Sequence, residues 1–137
     1  MNQTAYIHQI LTCFGMSECT PISTPLAIKH NLSTLQSPKT EEEVTKYLKY
    51  VNGLHYLEIV GALLYVTQTR LDIQYAISIV SQFGGNPQKP YLEAAKHVLC
   101  YLKGTANLGL TLGCSGSESV DLVGWTDSNW AQDTDSH

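Results

Sequence analysis

This chain has little charge. Asp, Glu, Lys and Arg make up 15% of its 137 residues, against about 25% in ordinary soluble domains. A surface that poor in charge fits one partly covered by another domain. Bases are missing altogether from the C-terminal end: residues 118–137 hold five acids and no Lys or Arg, and the net charge is −4. The whole chain is therefore not a self-sufficient nucleic-acid binder on electrostatics, and any such role needs a local basic face. Long apolar runs are also missing. The longest, Ile59–Val66, falls far short of the ~20 residues of a membrane span, so no membrane partner is expected. The N-terminus MNQTAYIHQILTCF has no basic region ahead of its apolar residues, so it does not read as a secretory signal. The four cysteines, at 13, 19, 100 and 114, form no CxxC or CxxH pair, which argues against zinc and for reduced thiols in an intracellular protein. GxSxG, Walker, GxGxxG and HExxH motifs are absent, as is the Asp-Asp pair of polymerase metal sites.

Helical periodicity is what the chain does have. Ile7, Ile10, Leu11 and Phe14 form one stripe over Thr4–Phe14, with Thr4 as expected N-cap and Gly15 as stop. Residues 16–40 contain Pro21, Pro25 and Pro38 among many Ser and Thr and read as a long loop or linker. Glu41–Tyr50 predicts a short helix with an acidic first turn, which suits the helix dipole. Tyr56–Gln68 is apolar nearly all round, as in a helix lodged in a core or under another domain. Asp72 is the expected N-cap of a helix over Ile73–Phe83, with Ile73, Ala76, Ile77 and Val80 on one face. Pro90 opens a helix over Tyr91–Lys103 that Gly104 closes, with Leu92, Ala95, Leu99 and Leu102 as its stripe. The period then turns to alternation. Leu108, Leu110 and Leu112 predict a strand, residues 113–117 a turn, and Val120–Asp127 the hairpin partner. The expected class is α+β, predominantly helical, with a C-terminal β-hairpin.

Two stretches are candidates for chemistry. The tail GWTDSNWAQDTDSH carries Asp127, Asp133 and Asp135. Two-metal nucleases set carboxylates around ions ~4 Å apart, and Asp127, at the end of an expected strand, is a sensible ligand. The bland alternative is a solvated acidic tail. The second candidate is the Tyr91–Lys103 helix, where Lys96 and Lys103 share a face, with His97 and Lys89 nearby. Such a face can contact phosphates, although an ordinary solvated helix surface has the same pattern. Arg70 and Asp72 read as a capping Asp beside a surface or interface Arg.

Four ordered blocks resemble copia-type LTR-retrotransposon polyproteins. QTAYIHQILTCFGMSECTPISTPL (Gln3–Leu26) is similar to Q-x-x-Y-I-x-x-I-L-x-x-F-x-M-x-x-C-x-P-x-x-T-P-L. YLEIVGALLYVTQTRLDIQYAI (Tyr56–Ile77) is similar to Y-x-x-x-V-G-x-L-x-Y-x-x-x-T-R-P-D-I-x-Y-A. NPQKPYLEAAKHVLCYLKGTANLGL (Asn86–Leu110) and LVGWTDSNWAQD (Leu122–Asp133) resemble N-P-x-x-x-H-W-x-A-x-K-R-I-L-R-Y-L-K-G-T and L-x-G-Y-x-D-A-D-W-A-G-D. Leu71, Tyr91, Cys100 and Asn129 depart from the usual Pro, Trp, Arg and Asp.

The resemblance implies a division of the chain. Residues 1–104 would be the helical thumb and connection region of a reverse transcriptase, and residues 105–137 the opening strands of an RNase H domain. It also implies that Asp127 is the first metal-binding aspartate of RNase H, with magnesium as the parent's metal. The other carboxylates of that centre and the palm aspartates would lie on segments outside these 137 residues. The chain alone is thus expected to hold no cofactor and to be non-catalytic. Its partners would be an RNA–DNA hybrid or primer–template, the palm and the rest of RNase H, in an intracellular particle or the nucleus. Lys89, Lys96, His97 and Lys103 would grip the hybrid. The rival readings are a co-opted helical interaction module and a small metal-dependent hydrolase built on Asp127, Asp133 and Asp135.

Overall fold

The apolar stripes of the sequence become the buried faces of a helical core. The computed structural model describes residues 1–27, 40–50, 56–82 and 89–112, together with Gly124. In chain order the helices are α1 (Thr4–Cys13), α2 (Glu41–Tyr50), α3 (Tyr56–Val66), α4 (Gln74–Ser81) and α5 (Lys89–Gly104), with a 3-10 turn at Leu71–Ile73 before α4. α5 lies at the centre and touches α1, α3 and α4. Its Tyr91, Leu92, Ala95, Val98, Leu99 and Leu102 are wholly buried. Each large apolar side chain sealed in this way contributes about 1.5–3 kcal/mol, so α5 organises the core.

α1 buries Ile7, Ile10 and Leu11 and ends as the sequence predicts. Gly15 has φ +67°, the left-handed conformation that costs an L side chain about 1–2 kcal/mol. Around it the Met16 amide donates to the Leu11 carbonyl at 2.7 Å and the Gly15 amide to Thr12 at 3.2 Å, the two bonds of a Schellman stop. The start of α1 differs from expectation. Gln3, not Thr4, is the N-cap residue and makes no side-chain cap. The Thr4 hydroxyl is drawn away to the Ala106 carbonyl, 2.9 Å distant.

α3 and α4 pack against each other. α3 buries Tyr56, Ile59, Val60, Leu63 and Val66, and the Tyr56 hydroxyl donates to the Val80 carbonyl at 2.6 Å. Its other face is apolar too, but Leu57, Leu64 and Tyr65 lie exposed there. The expected α4 stripe of Ile73, Ala76, Ile77 and Val80 is buried in full. In α2 the Thr40 hydroxyl accepts from the Glu43 amide at 3.3 Å, capping the acidic first turn that the sequence marks.

The β expectation is corrected. The described residues are helical and contain no strand or sheet. Leu108–Leu112 makes an isolated antiparallel bridge, Gly109 with Asn2. The Leu110 amide donates to the Met1 carbonyl at 2.7 Å. A Cβ on Gly109 would overlap the Met1 carbonyl, so the close approach requires glycine there. Alternation predicts a strand only when a sheet face waits to cover it. Here Leu108 and Leu112 stay exposed, and the N-terminus takes the pairing. The turn at 113–117 and the second strand, Val120–Asp127, lie outside the described residues, so no RNase H-like sheet is seen.

Candidate nucleic-acid interface

The α5 stripe of Lys89, Lys96, His97 and Lys103 meets three different environments. Lys89 is well exposed, and its ammonium stands 3.7 Å from Glu93 one turn along the helix. Lys103 is half-buried, and its Nζ donates to the Cys19 carbonyl at 2.8 Å. His97 Nε2 lies 2.9 Å from the Thr24 carbonyl; a carbonyl only accepts, so Nε2 carries the proton in this bond. Lys96, also half-buried, has no hydrogen bond or ion pair among the described residues.

These bonds come from a segment that the sequence places in a linker. Met16, Cys19 and Leu26 pack on the core, and Pro21 lies against Gly104. Residues 19–24 therefore run along α5 beside Lys103, Cys100 and His97. The structure groups those three side chains with this segment. Lys89 is 14 residues from Lys103, about 21 Å along a helix that rises 1.5 Å per residue. An ammonium donating to one carbonyl keeps two N–H groups, so Lys103 and Lys96 together still present donors suited to phosphate oxygens.

A second constellation lies at the C-terminal end of α5. The Arg70 side chain is 2% exposed, and its Nη2 is 2.7 Å from Asp72 Oδ2. Nε donates to Asp72 Oδ1 at 2.9 Å, which completes a bidentate pair. The same guanidinium donates to the Thr105 carbonyl and hydroxyl, each at 2.7 Å. The Tyr101 hydroxyl donates to Asp72 Oδ2 at 2.6 Å, and the guanidinium carbon sits 5.7 Å from the centre of the Tyr101 ring.

The ionisations follow from these contacts. The hydrogen bond from Arg70 holds the Asp72 carboxyl below its ordinary value; burial opposes this, and the Tyr101 hydroxyl adds to it. Burial works to lower the Arg70 pKa, but the hydrogen bond and charge of Asp72 outweigh it and the result is raised. Burial, then the bond to Asp72, pushes Tyr101 up. Asp72 is therefore not the cap the sequence predicts. It sits inside the 3-10 turn, α4 has no side-chain cap, and its carboxylate is committed to Arg70 and Tyr101. Sequence reasoning misses Tyr101 and Thr105. Their i, i+4 spacing at the end of a helix is the only local signal, and it does not name a partner 29 residues away.

No group of three or more His, Cys, Asp or Glu among the described residues is placed to hold a metal ion. Asp127, Asp133 and Asp135 lie outside the described residues, so the metal-site expectation is neither assembled nor dismissed by the fold. No described helix is long and apolar enough to cross a membrane.

Similarity to known proteins agrees with the four sequence blocks. The chain is 40% identical over 136 residues to the retrovirus-related Pol polyprotein from transposon TNT 1-94 of Nicotiana tabacum, a match covering 98% of this chain and 10% of that protein. It is related to retrotransposon Pol polyproteins. The Pol polyprotein from transposon RE1 of Arabidopsis thaliana is 33% identical over all of the chain, which covers 8% of it. An uncharacterized mitochondrial protein of the same plant is 37% identical over 96% of the chain, which covers 49% of that protein. The chain thus spans about a tenth of the transposon polyproteins and about half of the mitochondrial protein. These relatives support a copia-type Pol fragment. No protein-family profile matches the chain, and no solved structure matches it.

Proposed function

We propose that the chain is the nucleic-acid-gripping segment of a copia-type reverse transcriptase–RNase H polyprotein. In this reading it holds the primer–template hybrid while carboxylates on other segments do the chemistry. The observation that carries the reading is similarity over nearly the whole chain to transposon Pol polyproteins. The α5 face supports it with Lys96 and the remaining donors of Lys103. Contact there would be with phosphates, weak and without sequence preference. The acids of residues 118–137 would oppose it in the absence of a neutralising partner. The 137 residues by themselves carry neither polymerase nor nuclease activity in this reading.

The test is fluorescence anisotropy of a labelled RNA–DNA hybrid across salt concentrations. Added salt weakens binding, and removal of residues 118–137 strengthens it. Lys96→Ala lowers the affinity and Lys96→Ala with Lys103→Ala abolishes it, with the helical circular dichroism unchanged. Equal affinity and equal salt slope in the double variant would sink the basic-face reading. The same hybrid stays intact with magnesium or manganese; cleavage that disappears in Asp127→Asn would favour the hydrolase instead.

A second reading is a co-opted interaction module. It draws on the mitochondrial relative, which is not named as a Pol polyprotein, and on the exposed Leu57, Leu64 and Tyr65 of α3. A folded protein with no hybrid affinity at low salt would favour it.

A further inference from the structure

Two cysteines 81 positions apart in sequence meet where residues 19–24 cross α5. Cys19 is half-buried on the crossing segment and Cys100 is buried on the helix beneath. Both are free thiols, and Cys19 is a near enough neighbour to act on the Cys100 thiol. The crossing is fixed on either side of Cys100 along the helix. Lys103 holds the Cys19 carbonyl, His97 holds the Thr24 carbonyl, and Pro21 rests on Gly104. The sulfurs are thus presented to each other by the fold and not by chance encounter of loose loops. A disulfide needs an S–S separation of about 2.05 Å and Cα atoms within about 7 Å.

We infer that Cys19 and Cys100 are an oxidation site, a thiol pair that closes to a disulfide and fastens residues 16–24 across the basic face of α5. The oxidant is a small-molecule disulfide such as oxidised glutathione. The more accessible Cys19, as thiolate, attacks one sulfur of the oxidant; that S–S bond breaks and one small thiolate leaves with the electron pair. Cys19 is then a mixed disulfide. Cys100, on losing its proton to solvent, attacks the Cys19 sulfur and expels the second small thiolate. Two protein thiols and one small disulfide become one protein disulfide and two small thiols, and the two protons released restore the small thiols. Burial, then the neighbouring Cys19, pushes the Cys100 thiol up to about 11, so Cys100 is the resolving and slower partner. The consequence for the face beneath is direct. With the segment fastened, Lys103 and His97 stay tied to it; with the thiols reduced, only non-covalent packing and these hydrogen bonds hold it.

The test is incubation of the 137-residue protein with oxidised glutathione, followed by intact mass and peptide mapping. The expected product is a monomer lighter by about 2 Da, with one Cys19–Cys100 peptide that persists in Cys13→Ser and Cys114→Ser. Cys100→Ser stops as the mixed disulfide on Cys19. The oxidised protein melts at least about 5 °C higher, because the link closes a long loop. The same treatment in guanidinium chloride loses the selectivity. Pairing through Cys13 or Cys114, intermolecular linkage, unchanged mass, or equal selectivity in denaturant would each overturn the assignment. The parent protein alone decides the matter, so a poorly folding Cys100→Ser leaves the test intact.

Discussion

The two ends of α5 each carry a charge pair, and they are built in opposite ways. At the N-terminal end Lys89 and Glu93 stand 3.7 Å apart with side chains 61% and 59% exposed. Water competes for both ions there, and such pairs contribute about 0.3–0.5 kcal/mol. At the C-terminal end Arg70 is buried and bidentate on Asp72, with Thr105 and Tyr101 completing its shell. This pair joins the α3–α4 connection to the exit of the central helix. The lesson is that its value is mostly conditional. A buried ion pair contributes little relative to an apolar replacement, yet losing Asp72 would strand the Arg70 charge in the interior.

The largest effect follows from that condition. Arg70→Ala leaves the Thr105 groups and a partly solvated Asp72 carboxylate, 37% exposed, without their donor and is expected to cost about 2–3 kcal/mol. Lys89→Ala should change stability by no more than about 0.5 kcal/mol. Chemical denaturation of the two variants measures the contrast, and equal midpoints would erase the distinction between the ends.

Acid sharpens the comparison next. The Asp72 pKa is lowered by folding from its ordinary 3.8, chiefly through the Arg70 hydrogen bond. Its contribution is therefore present above the unfolded value and is lost as pH falls through the lower folded value. Urea midpoints followed downward from pH 6 should drop more steeply below about pH 4 in the parent than in Asp72→Asn. If the two profiles run parallel, Asp72 is not held by the clamp.

Within the Arg70 shell the smallest effect is at Tyr101. Tyr101→Phe keeps the ring beside Arg70 but removes one donor to a carboxylate that retains the guanidinium. About 1.5 kcal/mol is expected, the low end of the range for a hydrogen bond to a charged group. A loss as large as that of Arg70→Ala would mean that Tyr101, not Arg70, organises the site.

What is legible in the sequence is local. Ile73, Ala76, Ile77 and Val80 recur with the helix period, as do Leu92, Ala95, Leu99 and Leu102, and the core contains all eight. Gly15 after an apolar stripe marks a stop, and the structure supplies its positive φ. What is not legible needs a partner distant in the chain. Thr4 and Asp72 are good caps by type, but Ala106 and Arg70 claim them instead. Residues 16–27 have the Pro, Ser and Thr of a linker, yet a lysine and a histidine on α5 bind their carbonyls. Leu108, Leu110 and Leu112 alternate like a strand, but the neighbour at hand is the N-terminus. Among the candidate binding residues, the lysine spacing is readable, while the segment lying over Lys103 and His97 is not.

The Thr4–Ala106 bond spans 102 positions, and this has a consequence during synthesis of the chain. α1 leaves the ribosome with Ile7, Ile10 and Leu11 ready to be buried, but the helix it docks on is made more than 75 residues later. At about 5–20 residues per second, that stripe waits on the order of 5–15 s without its cover. The α3–α4 pair, whose Tyr56–Val80 bond spans 24 positions, closes far sooner. Nascent chains stalled between α4 and α5 should therefore carry an undocked, sticky first helix, and this is the interval in which a chaperone has most to bind.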